Sequence, residues 1–169
     1  MWDETRDATR WPGGAPVIAH PPCAQWARLR KFARENQETK AHALYALAQV
    51  RRWTGVLEHP IGSTLWSAAK LPRPGELDDH GGFTLVVDQF WFGHPAQKRT
   101  WLYVCGIAPA DVPPIPFKLG YPTHFIKPSR ARRGSAPTTG RRFREGTPPD
   151  FAQWLIELAR RGYSINTKN

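Results

Sequence analysis

Two side chains in this sequence have the character and setting for covalent chemistry. Cys23 closes the loop His20-Pro21-Pro22-Cys23, and Glu58 opens the tripeptide Glu58-His59-Pro60. A thiolate adds readily to an electron-poor carbon. A neighbouring carboxylic acid that protonates a ring nitrogen makes a pyrimidine accept that thiolate at its C6 carbon. By residue type alone a plainer reading stands beside this one, with Cys23 a small buried hydrophobe and Glu58 a surface carboxylate. Zinc is a third reading, since two residues separate His20 from Cys23 and Cys105, His59 or His94 could complete a set. The chain has no Cys-x-x-Cys pair and no His-x-Glu of the zinc deaminases, so no metal is expected.

Local patterns place both side chains. Pro16-Val17-Ile18-Ala19 is a short apolar run closed by Pro21-Pro22, which suits a buried strand that stops abruptly. Residues 38–53 contain neither Gly nor Pro, and Leu44, Leu47, Ala48 and the stem of Arg51 recur at helical spacing, which predicts a helix. Gly55 ends it, and Val56-Leu57-Glu58 reads as a second strand cut off by Pro60. Strand, helix, strand is a βαβ unit with parallel strands and a right-handed crossover, so Cys23 and Glu58 should open onto one sheet edge, where open sheets bind ligands.

Further along, Ser63 is expected to cap a short helix through Ala69, and residues 71–75 break the chain. Phe83–Gln89 and Thr100–Cys105 read as two strands joined around Gly93-His94-Pro95. Pro148-Pro149 followed by Phe151, Trp154, Leu155 and Leu158 gives a C-terminal amphipathic helix. The expected fold class is α/β, a reduced Rossmann-like sheet, mostly parallel with an antiparallel hairpin, plus an irregular arm. One domain should span residues 1–169, with its α/β core at 15–107, a basic Pro-rich arm at 108–146 and the last helix at 147–162.

Charge points to the partner. The 169 residues carry 24 Lys and Arg against 14 Asp and Glu, a formal charge of +10, and residues 112–144 hold eight of the basic groups and no acidic one. Such a field binds phosphates through counterion release. Lys127, Arg130, Arg132, Arg133, Arg141, Arg142 and Arg144 are the expected nucleic-acid-binding residues, with DNA preferred over RNA. Trp91, Phe92 and Phe125 are candidates to stack on a base, although buried core is the commoner fate of such rings. No apolar run of about 18 residues exists and the first residues lack a signal region, so no membrane is expected and the location should be cytoplasmic.

These motifs, in this order, resemble those of the DNA cytosine-5 methyltransferases. Residues 17–23 are similar to that family's cysteine loop, in which a strand runs into Pro-Pro-Cys and the Cys is the nucleophile. Residues 57–60 resemble its next motif, a strand ending in Glu-Asn-Val or Glu-Asn-Pro, with His59 in place of the Asn. Residues 92–99, leading into Thr100-Trp101-Leu102-Tyr103-Val104, are similar to its Gly-x-Pro-Gln-x-Arg-x-Arg segment, with Lys98 at the first Arg and Thr100 at the second. Residues 145–152 look like the late motif that opens its C-terminal helix. The chain also resembles short phage-encoded proteins of this type.

The resemblance implies Cys23 as nucleophile and Glu58 as proton donor to a cytosine. It places His20, Pro22, His59, Gln97, Lys98 and Arg99 in contact with the base or a phosphate. It also implies S-adenosylmethionine as methyl donor. Ahead of Val17, however, Gly13-Gly14 is the sole glycine pair and heads no separate βα unit, so the cofactor half is expected to be missing. Two function classes follow. One is an enzyme-like protein that acts on a cytosine through Cys23. The other is a non-catalytic phage DNA-binding or defence-blocking protein that retains the pocket, with a homodimer or a host protein as partner.

Overall fold

In the computed structural model, residues 7–27, 36–124 and 146–166 are described. Asn36 starts helix α1, Gln37–Trp53, by accepting a hydrogen bond from Thr39 N at 3.0 Å, and Thr54 ends it in a left-handed conformation (φ 63°). The chain then turns straight into strand β2, Gly55–Pro60, which pairs in parallel with β1, Val17–Ala19. Gly55 is required here. Its φ is 130°, and a Cβ on it would lie 2.0 Å from Val17 O.

A short helix α2, Leu65–Ala68, follows; its N-cap is Thr64, one residue after the expected Ser63, with no side-chain capping bond, and Ser63 Oγ accepts from Leu65 N at 3.1 Å. Strands β3, Phe83–Asp88, and β4, Arg99–Cys105, form the anticipated hairpin around the turn at Gly93. Helix α3, Pro149–Asn166, runs four residues past the expected end of 162.

The sheet order is β1-β2-β4-β3. β4 returns from the hairpin and takes the slot beside β2, antiparallel to it, so β3 is pushed to the edge. β1, β2 and β3 therefore share one direction, yet only β1 and β2 are a parallel pair. The expectation of a mostly parallel sheet is corrected: this is an open mixed sheet in which antiparallel pairings dominate. The reason is that β4 uses both its edges for antiparallel ladders.

Alternation along the central strands divides the core into two layers. Val56, Leu102 and Val104 face α3 and pack with Phe151, Leu155 and Leu158. Leu57, Tyr103 and Cys105 face α1 and pack with Ala43, Leu47 and Val50. The buried stripe of α1 is thus Ala43, Leu47 and Val50, and of the expected pair Leu44 and Ala48 both are exposed. Arg51 lies at the edge of that stripe and reaches across the sheet face. Its Nε donates to Tyr103 OH (3.1 Å) and its Nη2 to Asp78 Oδ2 (2.9 Å), while Tyr103 OH donates to the same oxygen (2.8 Å). This cluster ties the loop before β3 to the core.

After β4, residues 106–124 are irregular apart from one 3-10 turn at Pro109–Asp111. They are held to α3 by Trp154 Nε1 donating to Pro114 O (3.0 Å) and by Arg161 Nη1 donating to Asp111 O (2.9 Å). The seven cations proposed from the sequence as a phosphate track, at 127–144, lie outside the described residues, as does Phe125.

Candidate functional site

Pro21-Pro22 follow the end of β1, and Pro60 ends β2. β1 ends at Ala19, directly opposite Leu57, so the next residues, His20 and Glu58, are neighbours at the carboxyl ends of two parallel strands. Their side chains meet: His20 Nδ1 lies 3.1 Å from Glu58 Oε2. A carboxylate only accepts, so Nδ1 carries the hydrogen. Beyond Pro21-Pro22 the chain makes a turn in which Cys23 O accepts from Trp26 N (2.9 Å) and Ala27 N (2.8 Å). Trp26 O in turn accepts from Thr64 N (2.9 Å), anchoring the loop to the start of α2 while Cys23 stays exposed. The other cysteine, Cys105, is buried in the sheet and donates to His80 O at 3.4 Å.

Glu58 is fixed from the opposite side by a residue the motif comparison passed over. Gln89, fully buried at the end of β3, donates through Nε2 to Glu58 Oε1 (3.2 Å) and to Thr100 Oγ1 (3.0 Å). Thr100 donates its own hydrogen to Lys98 O (3.2 Å), so both hydrogens of the Gln89 amide are committed. Gln89 Oε1 is left buried with no partner among the described residues, a desolvation cost carried at the site. The only signal of Gln89 in the sequence is its place at the end of a strand that faces Thr100 across the hairpin.

Lys98 sits on the same side, half-buried, with its backbone N bonded to Asp88 Oδ1 (2.9 Å) and its Nζ donating to Gly146 O (3.0 Å). Burial lowers its pKa, and the negative charge of Glu58 and of a Cys23 thiolate pulls the other way. Burial by itself would raise the Glu58 pKa. The hydrogen bond and charge of His20, with the charge of Lys98, outweigh that and hold it below the ordinary value, so Glu58 rests as a carboxylate at neutral pH. To protonate a ring nitrogen it must first take up a proton.

The remaining expected contacts divide. Pro22 and Gln97 are exposed near the site. His59 is not part of it, which corrects its assignment as a base or phosphate contact. Strand alternation turns it to the α1 face, opposite Glu58, where it is completely buried near Trp66 (ring centroids 6.5 Å) and burial lowers its pKa to about 4. Arg99 is exposed, but it shares the strand face of Trp101 and Tyr103 and so lies opposite Thr100. Of the aromatic candidates, Phe92 is 2% exposed in the α3 core, and Trp91 is half-buried against Phe117 at 4.7 Å.

The rim of the site is the loop 93–98, and two described residues, His124 and Gly146, contact it. His124 N donates to Pro95 O (3.1 Å) with a bridge between Ala96 and His124, and Gly146 receives Lys98. Within the loop, Ala96 N donates to His94 Nδ1 at 3.0 Å.

The residues ahead of β1 do not fit an S-adenosylmethionine cradle. Among the described residues 7–16 there is a 3-10 turn at Ala8–Arg10 and no strand–turn–helix, and a Cβ at Gly13 would lie 2.3 Å from Trp53 Cε2, so that glycine makes room for an indole. Among the described residues there is no cluster of three His, Cys, Asp or Glu able to hold a metal ion, and no helix long and apolar enough to cross a membrane. No family model, curated protein or solved structure matches the chain.

Proposed function

We propose that this chain binds a cytosine base of DNA at the edge shared by Cys23 and Glu58, and that Cys23 adds to C6 of that base. The observation that carries the reading is the convergence of the exposed Cys23 loop, the Glu58 carboxylate and the Lys98 cation at one sheet edge. The three strands of one direction and the α1 crossover support reading the sheet as a reduced, Rossmann-like methyltransferase sheet. The contacts of His124 and Gly146 with the loop 93–98 support a role beside the base for the basic residues between them in sequence.

The chemistry needs no methyl donor. The Cys23 thiolate bonds to C6 as N3 takes a proton, and the C5–C6 double bond opens to give an enamine that is nucleophilic at C5. C5 takes a proton from solvent, the other C5 hydrogen is removed, and elimination expels the thiolate while N3 gives its proton back to Glu58, which restores the aromatic ring. In deuterated water the net result is replacement of the cytosine 5-hydrogen by deuterium. Lys98 stabilises the thiolate electrostatically, and Glu58, once protonated, supplies the N3 proton.

The test is mass spectrometry of single-stranded DNA incubated in deuterated water. The expected result is deuterium at cytosine C5 with the native chain and none with Cys23→Ala. Absence of exchange together with retained, salt-sensitive DNA binding would establish the second reading instead, a non-catalytic DNA-binding protein. That reading is favoured by one feature of the site, the resting carboxylate with both oxygens already hydrogen-bonded.

A further inference from the structure

Among the described residues each oxygen of Glu58 has one donor, and the two donors are built differently. Gln89 is 0% exposed, and both of its amide hydrogens are committed. Its backbone is locked as well, with Gln89 N donating to Lys98 O (3.1 Å) and Gln89 O accepting from His94 N (3.0 Å). His20 belongs to no ladder. It follows the last residue of β1, its side chain is 35% exposed, and it reaches Glu58 Oε2 from the solvent side. The Glu58 side chain is 14% exposed, which leaves little room for a second donor at Oε2 while the imidazole stays in place.

We infer that His20 is a stand-in donor: in the free protein its Nδ1–H occupies the position on Glu58 Oε2 that an N–H of the bound base takes, and His20 swings out when the base enters. This rests on the base-binding reading above and adds an occupant for the empty-handed state. A buried carboxylate without a donor is costly, so an exchangeable internal donor keeps the pocket satisfied between ligands. Gln89 keeps Oε1 in place as the base enters, so the exchange moves one side chain. The ligand class follows from the oxygen exposed by the swap. An amino-substituted ring edge, such as that of cytosine, replaces the lost N–H. A ring that places a carbonyl there, such as thymine, does not.

The experiment compares binding of single-stranded oligo(dC) and oligo(dT) at neutral pH to the full chain and to two variants. His20→Ala removes the internal competitor and should tighten oligo(dC) binding about three- to tenfold, the worth of one hydrogen bond, with oligo(dT) unchanged. His20→Gln, which offers an amide donor to Oε2, should return oligo(dC) binding to the native value. Nitrogen-detected NMR of the histidine rings, with the His20 signal assigned by its loss in His20→Ala, should show the Nδ1–H bond to Glu58 broken at saturating oligo(dC). Weaker oligo(dC) binding by His20→Ala overturns the inference and makes His20 a ligand contact. An unmoved His20 ring signal at saturation overturns it too, even if either variant folds poorly. Failure of the native chain to bind oligo(dC) at all sinks the base-binding reading itself, and this inference with it.

Discussion

Replacing His59 by leucine should flatten the acid side of the protein's stability profile. His59 is completely buried between β2 and Trp66, neither ring nitrogen has a partner among the described residues, and burial lowers its pKa from 6.5 to about 4. The unfolded chain therefore takes up a proton near pH 6.5 that the folded chain refuses until about pH 4. Stability is full above the unfolded value and is lost as pH falls through that window. A shift of this size corresponds to about 2 kcal/mol lost between pH 7 and pH 5, and roughly 3 kcal/mol by pH 4. Glu58 and Asp78, whose pKa values are also lowered, lose stability in the same direction, but only below the ordinary carboxylate range, so the interval from 6.5 to 4.5 isolates His59. Urea unfolding followed by tryptophan fluorescence at pH 7 and pH 5 gives the comparison. The His59→Leu protein should lose about 2 kcal/mol less than the native chain between the two, and should be no less stable at pH 7, because leucine forfeits no hydrogen bond. Equal losses in the two proteins would show that the imidazole is protonated or solvated in the folded state, and would refute the reasoning.

Three further outcomes are expected. Gln89→Ala leaves Glu58 Oε1 and Thr100 Oγ1 without their shared donor, and should cost about 1–3 kcal/mol in denaturant unfolding as well as reduce C5 exchange. Gly55→Ala sets a methyl group against Val17 O at a positive φ, and should cost about 3 kcal/mol or more, read as a lowered melting temperature with loss of exchange, because β1 and its cysteine loop are displaced. Lys98→Met removes the cation beside Cys23 and Glu58 while keeping its apolar stem. It should slow exchange with little change in melting temperature, and its shortfall should not respond to added salt as a surface charge would.

Much of the site's framework was legible locally. Pro21-Pro22 and Pro60 stop two strands, the Gly-free and Pro-free run at 38–53 forms the helix between them, and those features alone bring Cys23 and Glu58 to one edge. Their information lies within a few residues of each element, which is why patterns read along the chain recover it. The orientation of His59 was equally local, since strand alternation opposes it to Glu58, but a likeness between motifs drew it into the site.

What the tertiary structure decided depends on contacts between residues far apart in sequence. The slot that β4 takes beside β2 made the sheet mixed, because a strand's pairing partner is set by which edges remain open after the first βαβ unit forms. That slot carries Thr100 and Gln89 to Glu58, and no spacing in the sequence announces a glutamine 31 residues away as the clamp on a carboxylate. The protonation of Glu58 was likewise decided in three dimensions, by His20 and Lys98 arriving from separate elements. Burial and opposing charge are properties of the folded surroundings, and the residue's own identity supplies only the group on which they act.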